Sequence, residues 1–184
     1  MLRRADYDLR KIQEKDLVQV LAWRNSDRIR DCMYIDTLIT WEDHYNWYHK
    51  TLDRADQLHL ICEFQTQPIG VINASQLDQY HRRCAWGFYL GDTYAPKGSS
   101  YVMALLFLDL MFNDFCLRKI CGEVLSFNAD SIRFHQNLGF QQEGLLKEHT
   151  FKKDVYVHVL VFGLLSEQWQ QVRLNVESRL FADA

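Results

Sequence analysis

Strand-like and helix-like segments alternate along this 184-residue chain, and that alternation limits its fold more than any other feature. Apolar runs and period-two alternation predict strands over residues 7–12, 58–64, 69–77, 84–90, 119–127, 141–150 and 155–165. Helical spacing predicts helices over 14–23, from 40 onward, over 99–115 and 129–137, and from 166 to the end. Gln65–Pro68 is typical of a hairpin turn between neighbouring strands. Strands that interleave with helices, together with one hairpin, predict an α/β fold with a mixed sheet.

The composition is that of one folded domain. Hydrophobic residues make up 48% of the chain, which supplies a sizeable core, and 2 prolines and 8 glycines leave few breaks between elements. The sequence has no repeat, linker or low-complexity tract. We therefore predict a single domain over residues 1–184, in which residues 166–184 form a C-terminal helix.

Charge and hydropathy indicate a small-molecule partner rather than a nucleic acid or a membrane. The formal net charge is −3, and the basic pairs Arg82-Arg83 and Lys152-Lys153 are too short for a nucleic-acid-binding face. The longest apolar run, 101–108, is too short to cross a bilayer, and the N-terminus has no apolar signal core. A cytoplasmic location is expected.

The five cysteines match no metal-binding or redox motif. Their number is odd, and Cys62, Cys84 and Cys121 lie in apolar, strand-like runs. Buried free thiols suit a reducing compartment. His44 and His49 are five residues apart and do not share a helix face, so no metal site is expected.

A glycine-containing loop leads into the long apolar helix at Lys97-Gly98-Ser99-Ser100. Helix N-termini expose unpaired N–H groups and carry a partial positive charge, so this turn has the features of a pyrophosphate site. The same residues also fit an ordinary turn followed by a serine N-cap. The loop by itself leaves both interpretations open.

The segment Glu123–Phe140, EVLSFNADSIRFHQNLGF, carries the most specific pattern. A strand leads to Asn128, Ser131 lies in the first turn of a helix, and Asn137-Leu138-Gly139-Phe140 ends that helix before Glu143-Gly144. This order resembles the GCN5-related N-acetyltransferase (GNAT) superfamily, and the resemblance extends over nearly the whole chain. It implies a mixed, mostly antiparallel sheet of about seven strands, flanked by helices and splayed between strands 4 and 5. It also implies transfer of an acetyl group from acetyl-CoA to a primary amine.

The resemblance assigns residues to the acetyl-CoA site. The glycine loop would bind the pyrophosphate, mainly through backbone N–H groups, and the strand before it would pair with the pantetheine arm. The loop Ala95–Ser100 departs from the family pattern, because it lacks the leading Arg or Gln and ends in serine. Asn128 also fits a simple helix cap. The implied coenzyme A contacts are Tyr89, Leu90, Lys97, Gly98, Ser99, Ser100, Tyr101, Asn128, Ser131 and Phe134.

The N-terminal third resembles one branch of this superfamily, through Trp23-Arg24-Asn25, Met33-Tyr34 and Ile39–Trp47. That branch acetylates the 4-amino group of a UDP-linked amino-dideoxy sugar in pseudaminic acid biosynthesis, which serves flagellin glycosylation. A guanidinium group suits a phosphate, although Arg24 also fits a helix-end charge and His44 a surface histidine. The implied contacts with the nucleotide sugar are Arg24, Asn25, Met33, Tyr34, His44, Asn73, Ser75 and Tyr89.

Two residues are candidates for acid–base catalysis. Glu123, expected to be partly buried in an apolar strand, is the candidate general base that removes the ammonium proton through water. A structural ion pair is the other interpretation of Glu123. His135 occupies the position of the family's tyrosine, which commonly protonates the departing thiolate, and an imidazolium would be a suitable acid. A purely structural histidine is the alternative there.

Two other functions are compatible with the sequence. The first is acetylation of a protein N-terminus or of a polyamine by the same fold, although Arg24 argues mildly against a polyamine. The second is a non-catalytic acyl-CoA-binding module, which the altered phosphate loop and His135 both suggest. A homodimer is also among the expected assemblies.

Overall fold

The computed structural model describes residues 2–181 and contains a seven-stranded sheet. Its strands are β1 (Tyr7–Lys11), β2 (Leu58–Phe64), β3 (Gln67–Asp78), β4 (Arg83–Leu90), β5 (Lys119–Leu125), β6 (Gln141–Lys152) and β7 (Val155–Leu165). Their spatial order is β1-β2-β3-β4-β5-β7-β6.

All neighbouring strands are antiparallel except β4 and β5, which run parallel. The β4–β5 pairing is short, and it runs only from Arg83 opposite Lys119 to Ala85 opposite Cys121. Beyond Ala85 the two strands diverge. The predicted fold, a mostly antiparallel sheet of seven strands splayed between strands 4 and 5, is confirmed.

Helices cover both faces of the sheet. They are α1 (Leu17–Asn25), α2 (Asp27–Arg30), α3 (Trp41–Leu52), α4 (Ser99–Asp109), α5 (Ala129–Asn137) and α6 (Ser166–Phe181). The larger core surrounds α4, whose Phe107 is fully buried, and includes Trp169 of α6. The smaller core packs α1 and α3 against Ile61 and Val71 on the opposite face. Each fully buried Leu or Phe stabilises the fold by about 2 kcal/mol.

An acidic side chain fastens α6 to α4. Asp109 is nearly buried and accepts hydrogen bonds from the indole nitrogen of Trp169 at 3.1 Å and from Arg173 at 2.8 Å. The paired guanidinium and indole groups satisfy a carboxylate that would otherwise be costly to bury. The C-terminal helix is therefore packed onto the main core.

Local chemistry explains where three helices begin or end. Thr40 accepts a hydrogen bond from the backbone N–H of Asp43 at 3.1 Å, which caps α3 as its sequence predicts. Gly98 precedes α4 with a φ of 95°, and Gly139 follows α5 with a φ of 89°. Both values lie in the left-handed region that glycine adopts without a steric penalty.

Several predicted boundaries shift in the structure. Residues 14–16 form a 3-10 turn before α1, and the predicted helix 99–115 continues beyond α4 as a π-helical turn over Leu110–Asp114. The short helix α2 was not predicted. Residues 182–184 of the predicted C-terminal helix lie outside the described residues. Among residues 2–181, none of the helices has the length and apolar character needed to traverse a bilayer.

Candidate active-site cleft

The divergence of β4 and β5 opens a cleft of about 600 Å³. Residues 86–90 of β4 keep their antiparallel pairing with β3, but among the described residues they have no partner strand on the β5 side. Backbone groups on an unpaired strand edge are available to an extended ligand. The cleft therefore combines an open strand edge with side chains from both faces of the sheet.

The cleft brings together most of the residues predicted for the site. Contributions come from the loop after α2, from β3, β4 and β5, and from the N-terminal parts of α4 and α5. The predicted residues that line the cleft are Met33, Tyr34, Ser75, Tyr89, Leu90, Ser100, Glu123, Asn128, Ser131, Phe134 and His135.

The start of α4 turns only one of its two serines toward the cleft. Ser99 is fully buried, and its hydroxyl bonds the Tyr7 hydroxyl at 2.8 Å and the Pro96 carbonyl at 2.7 Å. Ser100 lines the cleft, and Lys97 is exposed just before the helix. The Ser99 side chain therefore has a structural role and does not contact coenzyme A, whereas a contact through the Ser99 backbone stays a prediction.

The opposite wall of the cleft is the first half of α5. Asn128 caps the helix by accepting the Ser131 N–H at 3.1 Å, so the cap interpretation is confirmed. Phe134 packs against Tyr101 of α4, with ring centroids 4.6 Å apart, and against Phe88 of β4 at 4.8 Å. Because this aromatic cluster joins α4, α5 and β4, it fixes the width of the cleft.

Glu123 and Tyr34 meet at the mouth of the cleft. The Tyr34 hydroxyl donates a hydrogen bond of 2.5 Å to a carboxylate oxygen of Glu123. Burial, and then this bond to an anion, raise the pKa of Tyr34. Glu123 itself is exposed, which corrects the expectation of partial burial in the strand. The hydrogen-bond partner of Glu123 is therefore the Tyr34 phenol, and not the cation that a structural ion pair would require.

Two lysines at the β6–β7 hairpin hold the loop that carries Tyr34. Lys152 is almost completely buried and donates to the Met33 carbonyl at 2.6 Å and to Asp36 at 3.1 Å. Lys153 pairs with Asp31 at 2.7 Å. The sequence indicated only a short basic pair here, and nothing in it predicted that this pair fastens the loop over the cleft.

His135 lies in the cleft wall as a neutral imidazole. Its Nε2 accepts the indole N–H of Trp86 at 3.1 Å, and its Nδ1 donates to the Ser131 carbonyl at 2.8 Å, because an indole only donates and a carbonyl only accepts. Burial lowers the pKa of His135 to about 4, and the hydrogen bond to Ser131 only partly opposes this. This geometry corrects the predicted imidazolium acid, since the ring is uncharged at neutral pH and both nitrogens have partners.

Four residues predicted to contact the sugar do not line the cleft, and two of them, Asn25 and His44, have structural roles. Asn25 clamps the backbone of Ile39, donating at 2.8 Å and accepting at 2.9 Å. His44 is 4% exposed and stacks on Trp47, so it is a core histidine instead of a substrate contact. Asn73 lies against Gly87 of the neighbouring strand, where its side chain leaves little room for a β-carbon. The predicted sugar contacts of Asn25 and His44 are therefore corrected, whereas that of Asn73 stays a prediction.

Arg24 does not line the cleft but is half-buried near Tyr89, which does, and it lacks an acidic partner among the described residues. One terminal nitrogen donates to the Ile35 carbonyl at 3.1 Å, and the other is buried without a hydrogen-bond partner. Burial lowers the pKa of Arg24, and the nearby Tyr89 hydroxyl opposes this effect. An uncompensated guanidinium is costly, so its position favours an anionic ligand.

Arg28 is a lining residue that the sequence did not single out. Its guanidinium donates to the carbonyls of Leu90 at 3.0 Å and Gly91 at 2.9 Å, at the end of the open strand edge. Arg28 lies on the unpredicted helix α2, and no sequence signal separates it from Arg30. Within residues 2–181, no three His, Cys, Asp or Glu side chains converge in the manner of a metal site.

Comparison with known proteins gives concordant results. The family model for the acetyltransferase (GNAT) domain matches residues 7–141. The SPbeta prophage-derived uncharacterized N-acetyltransferase of Bacillus subtilis (strain 168) is 27% identical over 164 residues, covering 88% of this chain and 91% of that protein. Spermidine N(1)-acetyltransferase of Vibrio cholerae is 22% identical over 162 residues, covering 88% of this chain and 94% of that protein.

A solved structure has the same fold. The crystal structure of spermidine N-acetyltransferase from Vibrio cholerae in complex with CoA and spermine superposes with a TM-score of 0.85 at 20% identity, covering 90% of this chain and 99% of that one. At 20% identity, this structural similarity establishes only the fold. The match of the family model establishes the acetyltransferase family. The chain belongs to the GNAT acetyltransferase family and is an N-acetyltransferase that uses acetyl-CoA as its acetyl donor.

Proposed function

We propose that the acceptor is a primary amine on a phosphate-bearing small molecule, namely the 4-amino group of a UDP-linked amino-dideoxy sugar. The observation that carries this proposal is the buried, unpartnered nitrogen of Arg24, half-buried next to the cleft. A diphosphate oxygen would supply the missing acceptor and the missing negative charge. Pseudaminic acid biosynthesis in the cytoplasm is the corresponding pathway.

The second candidate acceptor is a polyamine. A sequence relative and a structure of the same fold, both from Vibrio cholerae, are named as spermidine acetyltransferases, and Glu123 and Asp130 line the cleft with two carboxylates that could face ammonium groups. A polyamine carries several positive charges, however, and the cleft also exposes Arg28. Because like charges repel in a cleft of low dielectric constant, we favour the anionic acceptor.

The proposed transfer is a direct attack of the amine on the thioester, without an acyl-enzyme. The pyrophosphate would lie on the N-terminus of α4 at Gly98 and Ser100, and the pantetheine arm would pair with the open edge of β4 at Tyr89 and Leu90. Backbone N–H groups of that edge would stabilise the oxyanion. Glu123 would take the ammonium proton before attack. Much of the acceleration would come from holding both reactants in one cleft.

An acceptor panel tests the proposal. Coenzyme A release from acetyl-CoA is measured with a UDP-linked 4-amino-dideoxy sugar, the free amino sugar, spermidine and a peptide with a free N-terminus. We expect the highest kcat/KM for the nucleotide-linked sugar. Faster release with spermidine or with the peptide would overturn the acceptor assignment. Release with none of them would also overturn the assignment, because the acceptor amine would then lie outside these classes.

Arg24→Gln provides the matched variant for this panel. We expect it to raise the KM for the nucleotide sugar more than about tenfold, the effect of losing one charge-assisted hydrogen bond, and to leave the KM for acetyl-CoA unchanged. Arg82→Gln, at an exposed turn, is the control and should change neither constant. Equal KM values in Arg24→Gln and wild type would remove Arg24 from the acceptor site.

A further inference from the structure

We propose that Tyr34 is the acid that protonates the departing thiolate, and that Glu123 returns the proton to it. This inference rests on the proposed direct transfer at the β4–β5 cleft. Its starting point is the hydrogen bond of 2.5 Å between the Tyr34 hydroxyl and the Glu123 carboxylate, both of which line the cleft.

Other lining groups suit this role less well. His135 carries its one ring hydrogen on Nδ1, which donates it to the Ser131 carbonyl, and its Nε2 accepts from Trp86, so neither nitrogen is free to protonate the thiolate. Tyr89 is the other lining tyrosine, but among the described residues its hydroxyl has no hydrogen bond to a carboxylate that could return a proton. Tyr34 alone joins a transferable hydroxyl proton to a carboxylate.

The position of Tyr34 is fixed by the loop contacts. Lys152 holds the segment on both sides of Tyr34, through the Met33 carbonyl and Asp36, and Lys153 pairs with Asp31. The Tyr34 ring packs edge-on against His149 at 6.5 Å. The ring is 42% exposed, so its hydroxyl reaches the cleft from the solvent side without being part of the core. Because the loop contacts fix its position and its hydroxyl remains accessible, Tyr34 is suited to donate a proton and then take one back.

The proposed steps account for each proton that the amine loses. The first ammonium proton passes to the Glu123 carboxylate and leaves to solvent, and the neutral amine then forms the C–N bond. As the C–S bond breaks, its electron pair goes to sulfur, which takes the Tyr34 hydroxyl proton. Glu123 accepts the second proton from the amide nitrogen and passes it to the Tyr34 phenolate. Both side chains return to their starting states, and the net change moves one proton from nitrogen to sulfur.

Tyr34→Phe tests the proposal with whichever amine of the panel reacts fastest, so a wrong acceptor assignment leaves the test intact. We expect kcat to fall about 100-fold, typical of losing a general acid, with the KM for acetyl-CoA within about twofold of wild type. Tyr80→Phe, at an exposed turn, is the matched control and should retain full kcat.

Changing the leaving group of the acetyl donor distinguishes a general acid from a residue that only positions the substrate. A selenol is more acidic than a thiol and departs without protonation, so the selenoester of coenzyme A should restore most of the kcat lost in Tyr34→Phe. Glu123→Gln should lower kcat more than about tenfold, and the double variant should fall little below the slower single variant, because the two groups act as one relay. Equal losses with both donors, fully multiplicative losses in the double variant, or a change confined to KM would each overturn the proposal.

The pH dependence of kcat provides a second readout, because Tyr34→Phe should alter the profile and Tyr80→Phe should not. The other ionisable groups near Tyr34 and Glu123 lie on four elements. They are the same in Tyr34→Phe and Tyr80→Phe, so a difference between the two pH profiles comes from Tyr34. These groups are Arg28 on α2, Asp130 and His135 on α5, His149 and Lys152 on β6, and Tyr89 on β4.

Discussion

Gly122→Ala is expected to lower the free energy of unfolding by about 3 kcal/mol and to reduce kcat at least about tenfold. A β-carbon at position 122 would lie 2.7 Å from the indole nitrogen of Trp86 and 2.8 Å from Nε2 of His135. Neither ring can retreat, because Trp86 stacks on Phe140 at 4.8 Å and His135 on Phe162 at 5.1 Å. The backbone of β5 must therefore move, and it carries Glu123 with it.

Thermal unfolding and steady-state kinetics measure this effect. For a chain of this size we expect a fall in melting temperature of about 10 °C. Gly144→Ala is the matched control, because its β-carbon would meet only Val161, at 3.8 and 3.9 Å, which is ordinary contact. Alanine in place of glycine at such an open strand position is neutral or slightly stabilising. A Gly122→Ala variant as stable and active as Gly144→Ala would contradict the packing described for this wall.

The stability of the protein should fall as the pH drops from about 6.5 to about 4, and His135 should account for about 3 kcal/mol of that loss. Burial lowers the pKa of His135 from 6.5 to about 4, so the unfolded chain binds a proton in this window while the folded protein does not. Protonation therefore favours the unfolded state. The stabilising contribution is fully present above pH 6.5 and is lost as the pH approaches 4.

Urea unfolding of wild type and His135→Gln at several pH values isolates this contribution. Glutamine retains an acceptor for the Trp86 indole but does not titrate, so the difference in unfolding free energy between the two proteins should shrink steadily below pH 6.5. His44 and His59 also have pKa values lowered by burial, but they are present in both proteins and cancel. Parallel pH curves for the two proteins would show that His135 is not held neutral by the fold.

Periodicity and turn chemistry were sufficient to predict the strands and helices and a mixed sheet. Apolar runs located the strands, and the glycines at 98 and 139 and the caps Thr40 and Asn128 located helix ends, because these are local effects of backbone geometry. The splay between β4 and β5 came from the resemblance to a family, since no local pattern reports where two strands separate. The π-helical turn at Leu110–Asp114 has no such local signal either.

The candidate site was predictable only in part. The register of α5 placed His135 on the cleft wall, but its charge depends on the Trp86 indole, which is 49 positions away in the sequence. Tyr34 was named as a sugar contact, and its bond to Glu123 spans 89 positions. The sequence shows Lys152 only as part of a short basic pair, because its partners Met33 and Asp36 are 119 and 116 positions away. Residue types and spacing therefore identify which side chains gather, whereas hydrogen-bond partners decide what each one can do.

We propose that coenzyme A lies between β4 and β5 with its diphosphate on the first turn of α4. Backbone amide exchange at residues 86–90 and 98–101, compared with and without saturating coenzyme A, tests this most directly. Exchange should become slower in both segments, because the ligand pairs with the open strand edge and with the helix N-terminus. Saturated binding that leaves exchange in both segments unchanged would contradict it.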